Sequence, residues 1–527
     1  MTVLLPTYNR RLYLPAALSS IVRQTYRNLE IFVINDGGPD VADIVRSFHE
    51  PRLTFIDRRE NRGKPYSLNE ALSRAQGKYV AYLDDDDVFY PHHVASLVEV
   101  LEGQTDCQVA YSDLYRAHCK VLPDGSRQVL SKQVDVCRDF DRFMMLYFNH
   151  VLHVSLMHRR DLLDRTGLYN ENLNILIDWD ITRRLAFFTD FCHTPTITGE
   201  FYSPVGECDR ISVQQRKRPE EYLRNVLTIR TTRPRKPWSR LGDLSIIFLC
   251  ERWDTTVAEV LGRIWRYTFY PYRILIPLPA PAIPRGDVGM PNVGFVPVDP
   301  LSSQDERVDV ALREAHSEYV AVMPQALHIR DMWLENPLYA LIHTARHAEG
   351  FLLEGATDQI WGAVLKRADL ERARRAHPHL SVEASLTACH IRVRQATGEE
   401  LPFQFDELIR QARLAEADGN WTTAARLFEY AATHHRNELW MKAMAAKAYF
   451  EAGDQTRAGQ LSAEVNRTRP TIDTLFMEAR IHRQREDFAT AIELLSRAEH
   501  WLAGQATASV PSTSNLVSSQ TGRVGVL

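Results

Sequence analysis

Four consecutive aspartates, at positions 84–87, are the residues whose type and spacing most directly indicate chemistry in this chain. Adjacent carboxylates repel one another, so some of them take up protons unless a cation or hydrogen-bond donors compensate their charge. Mg²⁺ and Mn²⁺ are natural partners, because such hard ions bind carboxylates together with substrate phosphates. An acidic run without a partner is an ordinary solvated loop, so its place in the fold decides between the two interpretations.

The aspartates follow directly on the apolar run Tyr79-Val80-Ala81-Tyr82-Leu83, which has the pattern of a strand buried on both faces. Two similar runs, Thr2-Val3-Leu4-Leu5 and Ile31-Phe32-Val33-Ile34, alternate with helical patterns. Strands that alternate with helices predict an α/β domain with a mostly parallel sheet. Ligands of such sheets bind beyond the carboxyl ends of the strands. Both Asn35-Asp36-Gly37 and the aspartates lie at such ends, which favours a ligand site.

Four motifs in this order resemble family 2 glycosyltransferases of the GT-A fold, over roughly residues 1–230. They are Pro6-Thr7-Tyr8-Asn9, Asn35-Asp36-Gly37-Gly38, Asn61-Arg62-Gly63-Lys64, and Gly77-Lys78-Tyr79-Val80-Ala81-Tyr82-Leu83 with the aspartates. Each motif is weak by itself, but four in order at ordinary spacing are specific. The resemblance implies a catalytic domain over residues 1–235 that takes a nucleoside-diphosphate sugar, most simply a UDP-linked one.

The resemblance also implies which residues hold the donor. These are Pro6, Thr7 and Tyr8 at the base pocket, Asp36 as a hydrogen-bond acceptor for the base, Lys64 at the phosphates and Asp85 at the ribose. Asp84 and Asp86 would bind the metal, Mg²⁺ or Mn²⁺, and a shift of one position within the run stays open. Leu68 stands where other members carry an arginine, which is a departure from the family pattern.

The resemblance assigns Asp178 to the acceptor side, as the catalytic base. The family's base lies in an acidic-Asp-Trp-Asp motif, and this chain has Ile177-Asp178-Trp179-Asp180, whose first residue is apolar. An inverting transfer needs one carboxylate to take the proton of the acceptor hydroxyl. The metal offsets the charge that builds on the leaving diphosphate. Asp180 is expected to be structural, as a cap or as a partner of Arg183 or Arg184.

Two further features concern the acceptor. The segment Phe148-Asn149-His150-Val151-Leu152-His153 is a candidate acceptor-facing region, although either histidine fits a buried core position equally well. Processive members carry a Gln-x-x-Arg-Trp signature; Gln215 and Arg218 keep its spacing, but Pro219 replaces the tryptophan. No apolar stretch approaches the roughly 18 residues that span a bilayer. We therefore predict a non-processive enzyme without a membrane span, acting on a glycan, lipid-linked or protein acceptor.

From about residue 241 the chain repeats the strand pattern of its first part. Ser245-Ile246-Ile247-Phe248 matches Thr2-Val3-Leu4-Leu5 at an offset of 243, and later strands match at offsets of 243 and 240. The polar residues are not repeated, since Pro277-Leu278-Pro279 stands at the position of Ile34-Asn35-Asp36, and Met323-Pro324-Gln325-Ala326 near that of the aspartates. The pattern predicts a degenerate second copy of the fold over residues 241–400, and an unrelated α/β domain is the alternative.

The pattern over residues 404–503 is helical and repeats. Ala424, Ala458 and Ala491 follow similar short turns, 34 and 33 residues apart. This resembles tetratricopeptide repeats, which have a period of about 34 residues, and three repeats suffice for a stacked core. The repeats would bind a protein partner; an ordinary helical bundle is the alternative. Residues 506–527 are rich in Ser and Thr, which predicts a disordered tail.

Composition limits the classes of function. The length of 527 residues predicts three or four domains, at about 150 residues each. A net charge of −4 favours neither nucleic acid nor an acidic membrane as partner. Seven scattered cysteines without a CxxC pair indicate neither a disulfide framework nor a zinc site. With no signal peptide ahead of the first strand, we expect a cytoplasmic protein with reduced thiols.

Two other classes of function compete with a glycosyltransferase. A catalytically weak or inactive transferase-like scaffold, binding a partner through its repeats, is suggested by the departures at Leu68 and Ile177. A nucleotidyltransferase shares the α/β architecture, but it would open with a Gly-rich phosphate loop. Pro6-Thr7-Tyr8-Asn9-Arg10 is not such a loop. We therefore favour an inverting, metal-dependent glycosyltransferase.

Overall fold

A computed structural model describes residues 1–506 of the chain, with gaps. The gaps fall at 105, 136–138, 206–217, 287, 291, 346–347, 357–359, 398–399, 401–407, 410, 413–414, 417, 435–437, 469 and 471. Gln215 and the tail from residue 507 onward therefore lie outside the described residues. Among the described helices, none combines the length and the hydrophobicity needed to cross a membrane.

The first unit of the chain is built on a mixed sheet. Its strands are β1 (Thr2–Thr7), β2 (Glu30–Asn35), β3 (Leu53–Asp57), β4 (Tyr79–Tyr82), β5 (Val88–Phe89), β6 (Cys107–Val121), β7 (Arg127–Asp135), β8 (Leu156–Arg159) and β9 (Asp190–Pro204). They follow the order β3-β2-β1-β4-β8-β6-β9-β5, and β7 pairs with β6. The pairs among β1 to β4 are parallel, and β8 is antiparallel to both β4 and β6. Of the parallel strands, β1, β2 and β4 were predicted, whereas β3 and the long strands β6, β7 and β9 were not.

Helices cover both faces of this sheet. They are α1 (Leu14–Val22), α2 (Ala42–Ser47), α3 (Lys64–Arg74), α4 (His93–Gly103), α5 (Arg142–Tyr147), α6 (Leu163–Thr166), α7 (Ile177–Leu185) and α8 (Pro219–Thr231), with 3₁₀ turns at His153–Ser155 and Arg160–Leu162. Every residue of β1 is buried, and alternate residues of a strand face opposite ways. Val3 packs in the cluster that contains Leu18 of α1, and Leu4 in the cluster that contains Leu68 of α3. The sheet interior therefore stays apolar, and the polar residues lie at the strand ends.

A second sheet follows. Its strands are β10 (Leu244–Leu249), β11 (Tyr272–Pro279), β12 (Val293–Val298), β13 (Tyr319–Pro324), β14 (Glu349–Leu352), β15 (Ala363–Lys366) and β16 (Arg392–Arg394). The helices of this unit are α9 (Thr255–Tyr267), α10 (Gln304–Glu314), α11 (Glu335–His343), α12 (Arg367–Ala376) and α13 (Val382–Ala388), with 3₁₀ turns at Ala280–Ala282 and Ile360–Gly362. The strand order is β12-β11-β10-β13-β15-β14-β16.

The second sheet has the strand order and directions of the larger part of the first. β13-β15-β14-β16 corresponds to β4-β8-β6-β9, with antiparallel, antiparallel and parallel pairs in both. The registers also agree: Thr2 lies opposite Glu30, and Ser245 opposite Arg273, the residues matched at an offset of 243. The two units thus arrange their matched segments in the same way.

The two α/β units share one hydrophobic cluster. The ring of Phe143 in α5 lies 5.4 Å from that of Tyr270, between centroids. Arg183 of α7 is fully buried, and it donates hydrogen bonds to the carbonyls of Arg230, at 2.9 Å, and Phe269, at 3.0 Å. Two helices of the first unit, α5 and α7, are therefore held against the second unit.

The last part of the described chain is helical. It contains α14 (Trp421–His434), α15 (Glu438–Glu451), α16 (Gln455–Thr468), α17 (Ile472–Gln484) and α18 (Phe488–Ala506), and successive helices pack on one another. Ala424, Ala458 and Ala491 are buried and each is the fourth residue of its helix. The turns before these helices also share their geometry, with positive φ at Gly419, Gly453 and Glu486. The following side chain then caps the helix by accepting a backbone N–H bond three residues on, at Asn420, Asp454 and Asp487.

One prediction about the cysteines is wrong. Cys107 and Cys192 form a disulfide bridge, with their Cα atoms 6.1 Å apart, so these two are not reduced thiols. Cys107 lies on β6 and Cys192 on β9, which are neighbouring strands. The two residues are 85 positions apart in sequence, so no local spacing marks them as a pair.

Candidate active site

The end of β1 lies beside the aspartates that follow β4. The Thr7 hydroxyl donates a hydrogen bond to the Asp85 carboxylate at 2.7 Å, and the Tyr8 N–H approaches the same oxygen at 3.3 Å. Burial raises the pKa of Asp85 to about 7, and the charge of Asp86 contributes. The structure thus brings Thr7, Tyr8 and Asp85 together, with Pro6 buried next to them in β1.

Asp36 is enclosed by donors from its own chain. Its carboxylate accepts hydrogen bonds from the Arg58 guanidinium at 2.9 Å, the Arg62 N–H at 3.0 Å and the Gly63 N–H at 2.8 Å. The residue is 4% exposed. Asp36 therefore fixes the loop that leads into α3 and Lys64. Its hydrogen bond with a nucleotide base stays a prediction.

Lys64, the first residue of α3, connects carboxylates from two parts of the chain. Its ammonium forms an ion pair with Asp84, and the two side chains are 30% and 34% exposed. Burial by itself lowers the pKa of Lys64, but the charges of Asp84, Asp178 and Asp86 outweigh it and raise the pKa. Lys64 is therefore a cation at neutral pH, placed among the aspartate run and the predicted base.

Two arginines contact Asp86. Arg10, just beyond β1, forms an ion pair with its carboxylate. Arg127, the first residue of β7, donates to the Asp86 carbonyl at 2.6 Å and has a nitrogen 3.8 Å from the carboxylate. The Arg127 guanidinium also lies 3.6 Å from the ring centre of Tyr13 and 4.6 Å from that of Tyr202. Residues of β7 and β9 thus reach the aspartate run from outside the parallel strands.

Three of the four aspartates could hold a metal ion. Asp84, Asp86 and Asp87 each offer a carboxylate oxygen, and these oxygens lie within 4.8 Å of one another. Asp84 and Asp86 are the predicted ligands; Asp87 is an additional one, and it accepts the Tyr202 N–H at 3.0 Å. A set of carboxylate oxygens fits a hard divalent cation. The residues present therefore fit Mg²⁺ or Mn²⁺.

Asp178, the second residue of α7, is half-buried. The Asn149 side-chain amide donates a hydrogen bond to its carboxylate at 2.9 Å. Burial raises the pKa of Asp178, and the Lys64 charge and the Asn149 bond partly oppose this rise. A half-buried carboxylate with a raised pKa, held by one amide, has the properties of a general base.

The residues beside Asp178 are structural. Ile177 is 7% exposed and packs in the core, so an apolar residue fits the first place of the motif. Asp180 is buried and pairs with Arg184 at 2.5 Å, which was one of its two predicted partners. Arg184 also donates to the carbonyl of Thr166 at 2.6 Å. These contacts hold the first turn of α7 in place.

His153 occupies a core position rather than an acceptor-facing one. Its ring stacks on Tyr82 with 4.1 Å between centroids, and its Nε2 lies 2.8 Å from the Tyr169 hydroxyl. Burial lowers the pKa of His153 to about 3, so the ring is neutral. Of the two interpretations of this histidine, the structure favours the buried one.

Arg10 and Arg127 were not predicted as site residues, and Asn149 was predicted only as part of the candidate acceptor-facing segment 148–153. Arg10 follows the Pro6-Thr7-Tyr8-Asn9 motif directly, so its place at a strand end was a usable signal. Arg127 and Asn149 lie 41 and 29 residues from the aspartates that they bind, with no spacing pattern to connect them.

Known proteins are similar to the first part of the chain. Residues 2–144 match the sequence model of the family described as Glycosyl transferase family 2. An uncharacterized glycosyltransferase of Rickettsia prowazekii is 25% identical over 187 residues, which cover 34% of this chain and 57% of that protein. A glycosyltransferase of PGL/p-HBAD biosynthesis from Mycobacterium tuberculosis is 24% identical over 269 residues, which cover 49% of this chain and 93% of that protein. Residues 2–144 thus match glycosyltransferase family 2, and the similar proteins support sugar transfer.

Solved structures also resemble this part of the chain. A crystal structure of Staphylococcus aureus TarS, residues 1–349, has 18% identity and a TM-score of 0.34, covering 44% of this chain and 64% of that one. A mannosyltransferase from Pyrobaculum calidifontis, in complex with GDP-Man and Mn²⁺, has 21% identity and a TM-score of 0.33, covering 44% and 62%. The chain thus spans less than two thirds of each of these structures.

Proposed function

We propose that this glycosyltransferase moves one sugar at a time, with inversion, from a UDP-linked sugar to a hydroxyl acceptor. The observation that carries the proposal is the ion pair of Lys64 with Asp84, at a place where the charges of Asp86 and Asp178 also act on Lys64. Sugar transfer builds negative charge on a leaving diphosphate and removes a proton from a hydroxyl. A cation placed between a metal-binding run and a separate basic carboxylate suits both events.

The donor side of the proposed reaction uses the aspartate run. Asp84, Asp86 and Asp87 would hold Mg²⁺ or Mn²⁺, which supplies positive charge against the leaving diphosphate. Lys64 adds fixed positive charge from the start of α3. Asp85 would contact the ribose of the nucleoside. The base would be bound by Pro6, Thr7, Tyr8 and Asp36.

The acceptor side uses Asp178. Its carboxylate would take the proton of the attacking hydroxyl, and its raised pKa makes it a stronger base than an ordinary aspartate. Asn149 holds the carboxylate in one orientation through a hydrogen bond of 2.9 Å. Leu68 and Ile177, the two departures that suggested an inactive scaffold, are both buried in the core.

A panel of nucleotide sugars tests the function on the full chain. With Mn²⁺ present, one donor should release nucleoside diphosphate slowly without acceptor and faster with it, and chelation of the metal should stop both. If the wild type releases no more nucleoside diphosphate than Asp178→Asn with any donor, an inactive scaffold describes the protein better.

We infer that the second α/β unit is a degenerate copy of the first and binds no nucleotide. Leu278, at the strand end that corresponds to Asn35, and Met323, near the place of the aspartates, are fully buried and apolar. Neither of these two side chains offers an oxygen ligand to a metal–diphosphate pair. Calorimetric titration with UDP and Mn²⁺ should give about one site per chain, and this site should vanish in Asp86→Ala. A stoichiometry near two would show that the second unit binds as well.

We propose that the helices over residues 404–503 are tetratricopeptide-like repeats that bind a protein partner or present the acceptor. Met144 of α5 packs with Ala431, Ala432 and Met441, so the repeats contact the helix that leads to Asn149. Removing residues 404–527 should leave donor hydrolysis near normal and weaken transfer to the physiological acceptor. Circular dichroism should first establish that the shortened protein stays folded. Equal transfer by both proteins would contradict a role in acceptor delivery.

A further inference from the structure

Arg10 holds the same carboxylate that the proposed metal site requires. Its guanidinium forms an ion pair with Asp86 and lies 3.8 Å from an oxygen of Asp85. The Arg10 side chain is 18% exposed, so the pair is largely shielded from water. Because a carboxylate oxygen in contact with a guanidinium is not available as a metal ligand, Arg10 and a divalent cation exclude each other at this oxygen.

The second arginine at this place is anchored differently. Arg127 donates to the main-chain carbonyl of Asp86 at 2.6 Å, and that bond does not use the carboxylate. Its guanidinium is stacked on the rings of Tyr13 and Tyr202. Arg127 can therefore keep its position whether or not the Asp86 carboxylate binds a metal, whereas Arg10 and a metal compete for the charge of that carboxylate.

A bound donor would provide Arg10 with a new partner. Arginine binds phosphate oxygens in a two-pronged manner, with charge-assisted hydrogen bonds of the same kind that it makes to carboxylates. The diphosphate of the donor would lie next to the metal, and therefore next to Asp86. Arg10 would then exchange its ion pair with Asp86 for an ion pair with the diphosphate.

We propose that Arg10 is a counter-cation that competes with the metal for Asp86 and moves to the diphosphate when the donor binds. The inference rests on the proposed function, because it takes the aspartate run as the metal and diphosphate site. Without nucleotide, Arg10 opposes metal binding; with nucleotide, this opposition is lifted. Strong metal binding therefore depends on the nucleotide, and by linkage the nucleotide depends on the metal to the same extent. Such coupling keeps the site from filling with metal alone.

The test measures Mn²⁺ binding to the full chain by electron paramagnetic resonance, with and without UDP. Arg10→Met removes the competing charge, so Mn²⁺ alone should bind about tenfold more tightly than to the wild type, the usual worth of a partly buried hydrogen-bonded ion pair. The factor by which UDP strengthens Mn²⁺ binding should fall by about tenfold or more, since Arg10 also no longer reaches the diphosphate. Arg10→Gln, which keeps a polar side chain, should shift both quantities in the same direction and serves if Arg10→Met fails to fold.

Arg11→Met is the matched control. Arg11 is the next residue, carries the same charge and pairs with the exposed Asp43 rather than with the aspartate run. Its variant has the same net charge as Arg10→Met and should bind Mn²⁺ as the wild type does. Equal or weaker Mn²⁺ binding by both Arg10 variants, or the same gain in Arg11→Met, would overturn the inference. A wild type that binds UDP but no Mn²⁺ under any condition would instead refute the metal site of the proposed function, and the inference with it.

Discussion

Replacing Asp178 with asparagine is expected to lower the rate of sugar transfer by roughly 10²–10⁴-fold, the usual cost of losing a general base. The substitution keeps the shape of the side chain and removes its ability to take a proton. Affinity for the donor nucleotide should stay near that of the wild type, since Thr7 and Asp85 lie at the ends of β1 and β4, whereas Asp178 lies in α7. Steady-state transfer kinetics, combined with calorimetric titration of UDP, measure the two quantities separately.

Glu171→Gln is the matched control for this substitution. Glu171 is an exposed carboxylate that accepts a hydrogen bond from Asn69 at 2.9 Å. The control protein should transfer sugar at the normal rate. Normal turnover by Asp178→Asn, together with a large loss in Glu171→Gln, would move the role of the base to Glu171.

The pH dependence of transfer offers a second view of Asp178. The base works only when ionised, so the rate falls as the pH falls through its pKa, and burial places this pKa above that of an ordinary aspartate. The hydrogen bond from Asn149 favours the ionised form. Asn149→Leu should therefore move the acidic limb of the pH–rate profile to higher pH, while the exposed Asn172→Leu should leave it unchanged. If the acidic limb stays at the same pH in Asn149→Leu, the hydrogen bond from Asn149 does not affect the pKa of Asp178.

Replacing Asp86 with alanine is expected to lower transfer by about 10³-fold or more, because charge stabilisation by a metal is worth several kcal/mol and each ~1.4 kcal/mol is tenfold in rate. The same change should abolish Mn²⁺-dependent binding of UDP. A cost to folding is also expected, since Arg10 loses its ion pair with Asp86. Arg10 keeps some contact with water, so this cost should be small.

Asp43→Ala controls for the loss of an ion-paired aspartate. Asp43 pairs at the surface with Arg11, and Asp86 pairs with the preceding residue, Arg10. Its removal should affect neither transfer nor UDP binding. Full activity in Asp86→Ala, or wild-type activity that persists in EDTA, would show that the reaction needs no metal at this place.

The sequence by itself located the parallel strands β1, β2 and β4 and the ends at which polar residues collect. Buried strands such as β1 and β4 consist of continuous apolar residues, so the first polar residue marks the strand end. Parallel strands place those ends at one edge of the sheet. For this reason Asn35-Asp36-Gly37 and the aspartates could be grouped before any contact was known, and the short turns before Ala424, Ala458 and Ala491 could be matched by their spacing.

Only the tertiary structure decided which side chains meet at the aspartates. Arg127 arrives on the hairpin of β6 and β7, and Asn149 on the segment after α5, and neither position follows from a local pattern. The pairing of β6 with β9 likewise joins Cys107 to Cys192, against the prediction of reduced thiols. A repeating pattern in sequence reports which face of an element is buried, because burial recurs with the period of the helix or strand. Contacts between distant segments depend on how whole elements pack, and that packing leaves no periodic trace in the sequence.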